Sequence, residues 1–234
     1  MRMERTNVER YRLALFGRMV MGVAHEVHNH LSVILGFSEL IQLTAGNEGK
    51  VRDGAGKILS AGEKTGAILQ NYARYVRPHP PVPESFVPGD VIPEILLFAR
   101  YDLGRNDVVI SAQQDVSPGI LHADRRDFGL VLLALLFNGS EAMAGKGGDL
   151  AIRVSRDGEG WEFTVTDQGP GIPAGLEEKV FEEGFTTRTE PVNAGMGLPV
   201  ARHLVAQAGG TLHLSNHPGG GCAATVRLPL KPQA

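Results

Sequence analysis

Cysteine is nearly absent. The 234 residues hold one, Cys222, which rules out an internal disulfide and fits a reducing compartment. Long apolar runs are missing too. The longest, Leu130 to Phe137, falls far short of the ~20 residues a membrane-spanning helix needs. The stretch Met1 to Arg10 is charged and carries no apolar segment, so it does not read as a signal peptide. The expectation is a cytoplasmic chain with no direct membrane segment. Charge of either sign is not in excess: the net value is -3, and nothing global points to nucleic acid or an anionic membrane as a partner. Internal repeats are absent as well. What is present is ordinary for a soluble globular protein, 42% hydrophobic and 21% charged residues. The length suits one large domain or two small ones.

The chain divides at Arg77-Pro78-His79-Pro80-Pro81-Val82-Pro83. Proline lacks the backbone donor and restricts its predecessor, so no helix crosses this segment. Residues 78–83 read as a stiff linker between a helical unit (1–77) and a mixed unit (84–234). In the first helix Leu13, Phe16, Val20, Val23, Val27, His30, Ile34, Phe37 and Ile41 alternate three- and four-residue steps. That is a heptad-like seam, apolar except at His30. Gly46, Gly49, Gly54 and Gly56 mark a loop and a weak start to a second helix. Two helices cannot close a core alone, so the expected architecture is a helical hairpin that pairs with a second copy as a four-helix bundle. In the second unit, helices are expected over 88–102, 125–144 and 198–208. Strands are expected over 108–113, 150–156, 161–166, 211–215 and 223–228. The fold class is therefore α plus α/β, with the second unit an α/β sandwich whose helices lie on one face.

His25 lies inside the first helix, between seam residues Val23 and Val27, and so faces away from the seam. Asn29 is one turn on, and Gly22 and Ser32 share the face. Glu26 is adjacent. An exposed imidazole with a neighbouring carboxylate suits a nucleophile: the carboxylate orients the ring and takes its proton while the free nitrogen attacks. A surface histidine beside a glutamate is also commonplace, and these residues alone do not separate the two readings. Metal binding is a poor fit, because an HExxH helix needs histidine where this chain has Asn29.

Three glycine-bearing segments follow. Asp167-Gln168-Gly169-Pro170-Gly171 places a carboxylate at a strand end before a backbone able to approach a ligand closely. Phe181-Glu182-Glu183-Gly184-Phe185-Thr186-Thr187-Arg188 comes next. Gly195-Met196-Gly197-Leu198 then opens a helix whose N-terminus can meet phosphate. Upstream, Asn138-Gly139-Ser140-Glu141 ends a long apolar helix. Each segment alone reads as a turn.

In this order and spacing the segments resemble the ATP-binding domain of the histidine kinase, gyrase, Hsp90 and MutL superfamily. Asn138 matches the N box, Asp167, Gly169 and Gly171 the first G box, Phe181 to Arg188 the F box, and Gly195 to Leu198 the second G box. The His25 segment resembles the H box of two-component sensor histidine kinases. That resemblance implies an ATP- and Mg²⁺-dependent kinase that phosphorylates its own His25, with Glu26 as acid/base partner. The phosphoryl group would pass to a response-regulator receiver domain, under an unidentified sensor input. Asn29 would hold a water for reverse phosphatase chemistry. Asn138 would ligate Mg²⁺, and Glu141, at the same helix end, is counted with the nucleotide-binding residues. Asp167 would accept the adenine amino group, Gly169 and Gly171 would let the nucleotide pack, Thr187 and Arg188 would lie near the phosphates, Gly195 and Gly197 would hinge a lid over the phosphates, and Leu198 is a further nucleotide-binding residue of the same box.

Four departures from the family pattern stand out. His30 replaces a proline, which should leave the helix straighter and puts a titratable group on the seam. Ala134 stands where a polar residue is common, one turn before Asn138. Pro199 replaces a glycine and should stiffen the lid's end. The stretch from Arg188 to Gly195 is short. These departures sustain one alternative reading, a non-catalytic phosphotransfer or scaffold protein with a degenerate nucleotide pocket.

Overall fold

The computed structural model describes residues 3–77, 80–114, 119–187 and 195–230. Two helices, α1 (Arg5–Leu43) and α2 (Glu48–Val76), form an antiparallel hairpin. The turn between them is shorter than the glycines suggest. The Asn47 side chain accepts from Lys50 N at 3.1 Å and caps α2, so Gly49, Gly54 and Gly56 fall inside the helix. Gly54 has a packing reason: a Cβ there would lie 2.9 Å from Ile41 Cγ1. Its absence lets the two helices close. Asn47→Ala removes the cap and should cost about 1 kcal/mol, readable as a lowered urea midpoint with unchanged slope.

Only the N-terminal half of α1 is buried, through Val8, Tyr11, Arg12, Leu15, Phe16, Met19, Gly22 and Val23. This stripe is rotated from the expected seam. Phe16 and Val23 belong to both, but Leu13 and Val20 are 48% and 46% exposed. The reason is that α1 packs against its own chain, on α2, α3 and α5. Phe16 stacks on Tyr75 (ring centroids 5.7 Å, planes 14° apart) and meets Tyr72 and Phe98 edge-on.

The second unit contains α3 (Pro88–Arg105), α4 (Arg125–Ala142) and α5 (Gly197–Gln207). Its five-stranded sheet has the order β2-β4-β5-β7-β6, with β2 (Val108–Gln114), β4 (Gly148–Arg156), β5 (Gly160–Thr166), β6 (Thr211–Asn216) and β7 (Cys222–Pro229). The β2–β4 pair is parallel and the other pairs are antiparallel. Alternate side chains are buried on one face, including Leu150, Ile152, Phe163, Val165, Leu214 and Val226, as expected of a sheet with helices on one side. Helix α4 is buried all round from Phe128 to Phe137, which accounts for the longest apolar run in the sequence. Two short strands escape the sequence pattern, β1 (Glu84–Phe86) and β3 (Leu121–Ala123), which pair antiparallel. Pro78 and His79 of the linker lie outside the described residues. Its end is pinned: Val82 N donates to Asp124 Oδ2 at 2.7 Å, while Asp124 Oδ1 caps α4 through Arg126 N and Asp127 N.

Candidate functional site

Asp167 follows β5 directly and is 5% exposed. Its Oδ1 accepts from Gly169 N at 2.8 Å and Cys222 N at 3.2 Å. Both donors need the glycines around them. Gly221 adopts φ +89°, and any Cβ there would collide with Asp167 O. Gly171 adopts φ +76°, and a Cβ would press on Asn216 Oδ1 at 2.6 Å. Asn216 closes the same loop, accepting from Ile172 N and donating to Ile172 O. The sheet end and the loop thus hold the carboxylate in one orientation.

Asp167 lines a cavity of about 300 Å³ together with Asn138, Glu141, Gly171, Thr186, Thr187, Gly195, Gly197 and Leu198. Gly169 bonds to Asp167 at its edge. The expected nucleotide-binding residues therefore converge, although they come from α4, two loops and the start of α5. Arg188, and with it the short lid stretch, lies outside the described residues. Apolar walls come from Phe137, Ile172, Val180, Phe185, Leu214 and Cys222. Burial, and then the Asp167 charge, push the Cys222 thiol up to about 11, so it is a neutral wall group and not a nucleophile at neutral pH.

Gly197 and Leu198 open α5 and line the cavity, so a helix N-terminus, an end that favours negative charge, borders it. A buried carboxylate, apolar walls and this helix end are a donor set that fits a nucleotide: a base at one end, phosphates at the other. Among the described residues no cluster of three His, Cys, Asp or Glu side chains could hold a metal alone.

His25 and Asn29 are exposed on α1 and Glu26 is half-buried. None of the three lines the cavity. The small polar face expected around His25 is partly covered. Gly22 packs on Tyr101 of α3, where a Cβ would lie 2.8 Å from Tyr101 Cβ, and the Tyr101 ring stands 5.9 Å from the imidazole.

Tyr11 of α1 lines the cavity and Arg18 of α1 bonds to a residue that lines it, and the sequence offered no signal for either. Tyr11 lines it and sits against Gly197, its hydroxyl 3.2 Å from where a Cβ would be. Arg18 donates to Glu141 Oε1 at 2.7 Å and to Asp102 Oδ1 at 3.1 Å, over the face of Phe137.

The family described as histidine kinase-, DNA gyrase B- and HSP90-like ATPase matches residues 123–232. The chain is 27% identical over 219 residues to the sensor histidine kinase ZraS of Escherichia coli strain K12. The match covers 94% of this chain and 46% of that protein, so the chain spans about half the relative's length. The catalytic domain of the histidine kinase ThkA superposes with a TM-score of 0.59 at 25% identity, over 64% of this chain and 97% of that domain. ThkA solved in complex with the response regulator protein TrrA gives 0.56 at 22% identity, over 96% of this chain and 64% of that one, a likeness of fold.

Proposed function

We propose that the chain carries a histidine kinase catalytic core, its ATPase domain of the histidine kinase, gyrase B and HSP90-like class matching over residues 123–232, and that it is an ATP-dependent autokinase that phosphorylates His25 and passes the phosphoryl group to a response-regulator aspartate. The observation that carries this reading is convergence: Asn138, Asp167, Gly171, Gly195 and Gly197, scattered over the sequence, line one cavity, while the same chain presents an exposed His25 on a helix. Asp167 reads the adenine amino group, the glycines admit the base, and the start of α5 receives the phosphates. Asn138 would hold Mg²⁺, which would supply neutralisation of the phosphate charge. The protein's remaining task is positioning. The free nitrogen of His25 forms the bond to phosphorus as the bond to the leaving ADP oxygen breaks, and the ring proton passes to Glu26. Asn29, one turn away, holds the water for the reverse, phosphatase reaction.

Exposed Leu13, Val20, Leu31, Leu35, Leu59 and Leu69 on α1 and α2 support a homodimer in which a second hairpin covers this surface. The regulator named in the ThkA complex supports a receiver domain as partner.

Incubation with γ-labelled ATP and Mg²⁺ should leave an acid-labile, base-stable label on the chain, absent in His25→Ala and transferable to a receiver domain. Label persisting in His25→Ala overturns the assignment. The scaffold alternative requires that ATP does not bind in the presence of Mg²⁺, and titration decides it.

A further inference from the structure

One rung of the sheet holds both ends of the loop that walls the cavity. That rung pairs Asn216 at the end of β6 with Cys222 at the start of β7. Cys222 holds the beginning of the loop: its N donates to Asp167 Oδ1 at 3.2 Å, and its carbonyl accepts from Asp167 N at 2.9 Å. Asn216 holds the far end. Its Oδ1 accepts from Ile172 N at 2.6 Å, and its Nδ2 donates to Ile172 O at 3.0 Å. Ile172 lies outside any helix or strand, so a single side-chain amide serves the backbone donor and the backbone acceptor that regular structure would otherwise satisfy. Asp167 and Ile172 both line the cavity, and Asn216 does not. Gly171 belongs to the same arrangement. A Cβ there would meet Asn216 Oδ1 at 2.6 Å and Gly221 O at 3.2 Å, so the space a side chain would take is filled by the chain itself. We propose that Asn216 is a positioning residue of the nucleotide site, which fixes Ile172 as a wall of the cavity, and that Gly171 is bare to admit the Asn216 amide.

Asn216 is exposed, and water competes for both of its bonds, so they add little to the stability of the whole chain. Their effect is local. A loop held in one conformation before the ligand arrives spends none of the binding energy on its own ordering. Without the amide, Ile172 must be ordered as the nucleotide enters, and affinity falls. Asp167 stays held through Gly169 N and Cys222 N, so the choice of base is kept. Asn138 and the start of α5 belong to other elements, so the rate at saturating nucleotide is kept as well. ATP and ADP share the base, and both should weaken by the same factor.

This inference rests on the proposal that the cavity binds ATP, and the experiment separates the two. ATP and ADP, each with Mg²⁺, are titrated into the full chain and into Asn216→Ala and Asn216→Asp, with thermal unfolding as the check on folding. Binding to the wild-type chain reads the nucleotide site itself; the ratio between variant and wild type reads the clasp on Ile172. Asn216→Ala is expected to weaken both nucleotides roughly tenfold, the worth of two ordinary hydrogen bonds. Asn216→Asp keeps an acceptor for Ile172 N and loses the donor to Ile172 O, and should fall between. In the labelling reaction the KM for ATP should rise by the same factor while the rate at saturating ATP stays unchanged. A residue that only supports the fold would lower that rate, through a smaller folded fraction, and leave KM alone. Gly171→Ala should also weaken binding, and adding Asn216→Ala to it should cost less than the sum of the two single losses, because both break one contact. A folded Asn216→Ala chain that binds ATP as tightly as wild type overturns the positioning role and leaves the ATP site standing. Losses that add in full overturn the role given to Gly171. Absence of binding in every chain overturns the clasp and the ATP site together.

Discussion

Asp167→Asn is expected to weaken ATP binding by roughly 10- to 100-fold, the worth of one hydrogen bond to a charged group in a closed site. The substitution is chosen to leave the loop intact. The asparagine oxygen can still accept from Gly169 N and Cys222 N, which hold Oδ1 now. What changes is the second atom of the group, from an acceptor to an NH₂ donor. An adenine amino group then meets a donor, and two donors facing each other in a buried site leave both unsatisfied. The same swap favours a base with a carbonyl at that position. Titration with ATP and ITP should therefore show the variant losing affinity for the first and gaining, relative to wild type, for the second. Asp167→Ala is less informative, because it also strips Gly169 N and Cys222 N of their acceptor and so disturbs the loop. Unchanged ATP affinity in a folded Asp167→Asn chain would remove Asp167 from base recognition.

The residues of this pocket were legible because each must keep an unusual backbone. Gly171 and Gly195 sit at positive φ, and Gly171 and Gly221 approach other groups more closely than any side chain allows. Such demands leave glycines at fixed order in the sequence. Strand and helix positions were legible for the same kind of reason, since period-two burial in β4 and β5 follows directly from a one-sided sheet. The contribution of α1 was not. Tyr11 and Arg18 lie on a helix whose spacing offers two overlapping apolar stripes, and nothing local says which stripe meets its own chain. The short pair β1 and β3 was invisible because three-residue strands carry too little pattern to read. The start of α2 was misplaced because the glycine count outweighed Asn47, although the cap and the close approach at Gly54 are what decide it.

The same ambiguity makes Phe16 the most telling core position. Its spacing puts it on the seam with Leu13 and Val20, yet it is fully buried while they are exposed. Its ring is the centre of a cluster joining α1, α2 and α3: Tyr75 stacks on it, Tyr72 and Phe98 meet its edges, and the Tyr72 hydroxyl donates to Phe16 O at 2.9 Å. Gly129 of α4 makes room for this arrangement, since a Cβ there would strike the Tyr75 ring. Phe16→Ala therefore leaves a cavity that three neighbours, themselves held by ring packing and by the Tyr75–Glu94 bond, cannot collapse to fill. The expected cost is about 3–5 kcal/mol, a fall of roughly 6–20 °C in melting temperature for a chain of this size. The fall should not depend on protein concentration, because the rings that surround Phe16 all belong to its own chain. Leu13→Ala should behave in the opposite way: its intrachain cost is within about 0.5 kcal/mol, and any destabilisation should grow on dilution as the proposed second hairpin leaves. A concentration-dependent fall in Phe16→Ala, with α3 still protected from exchange, would instead assign Phe16 to the interface between chains and detach α1 from the ATPase unit.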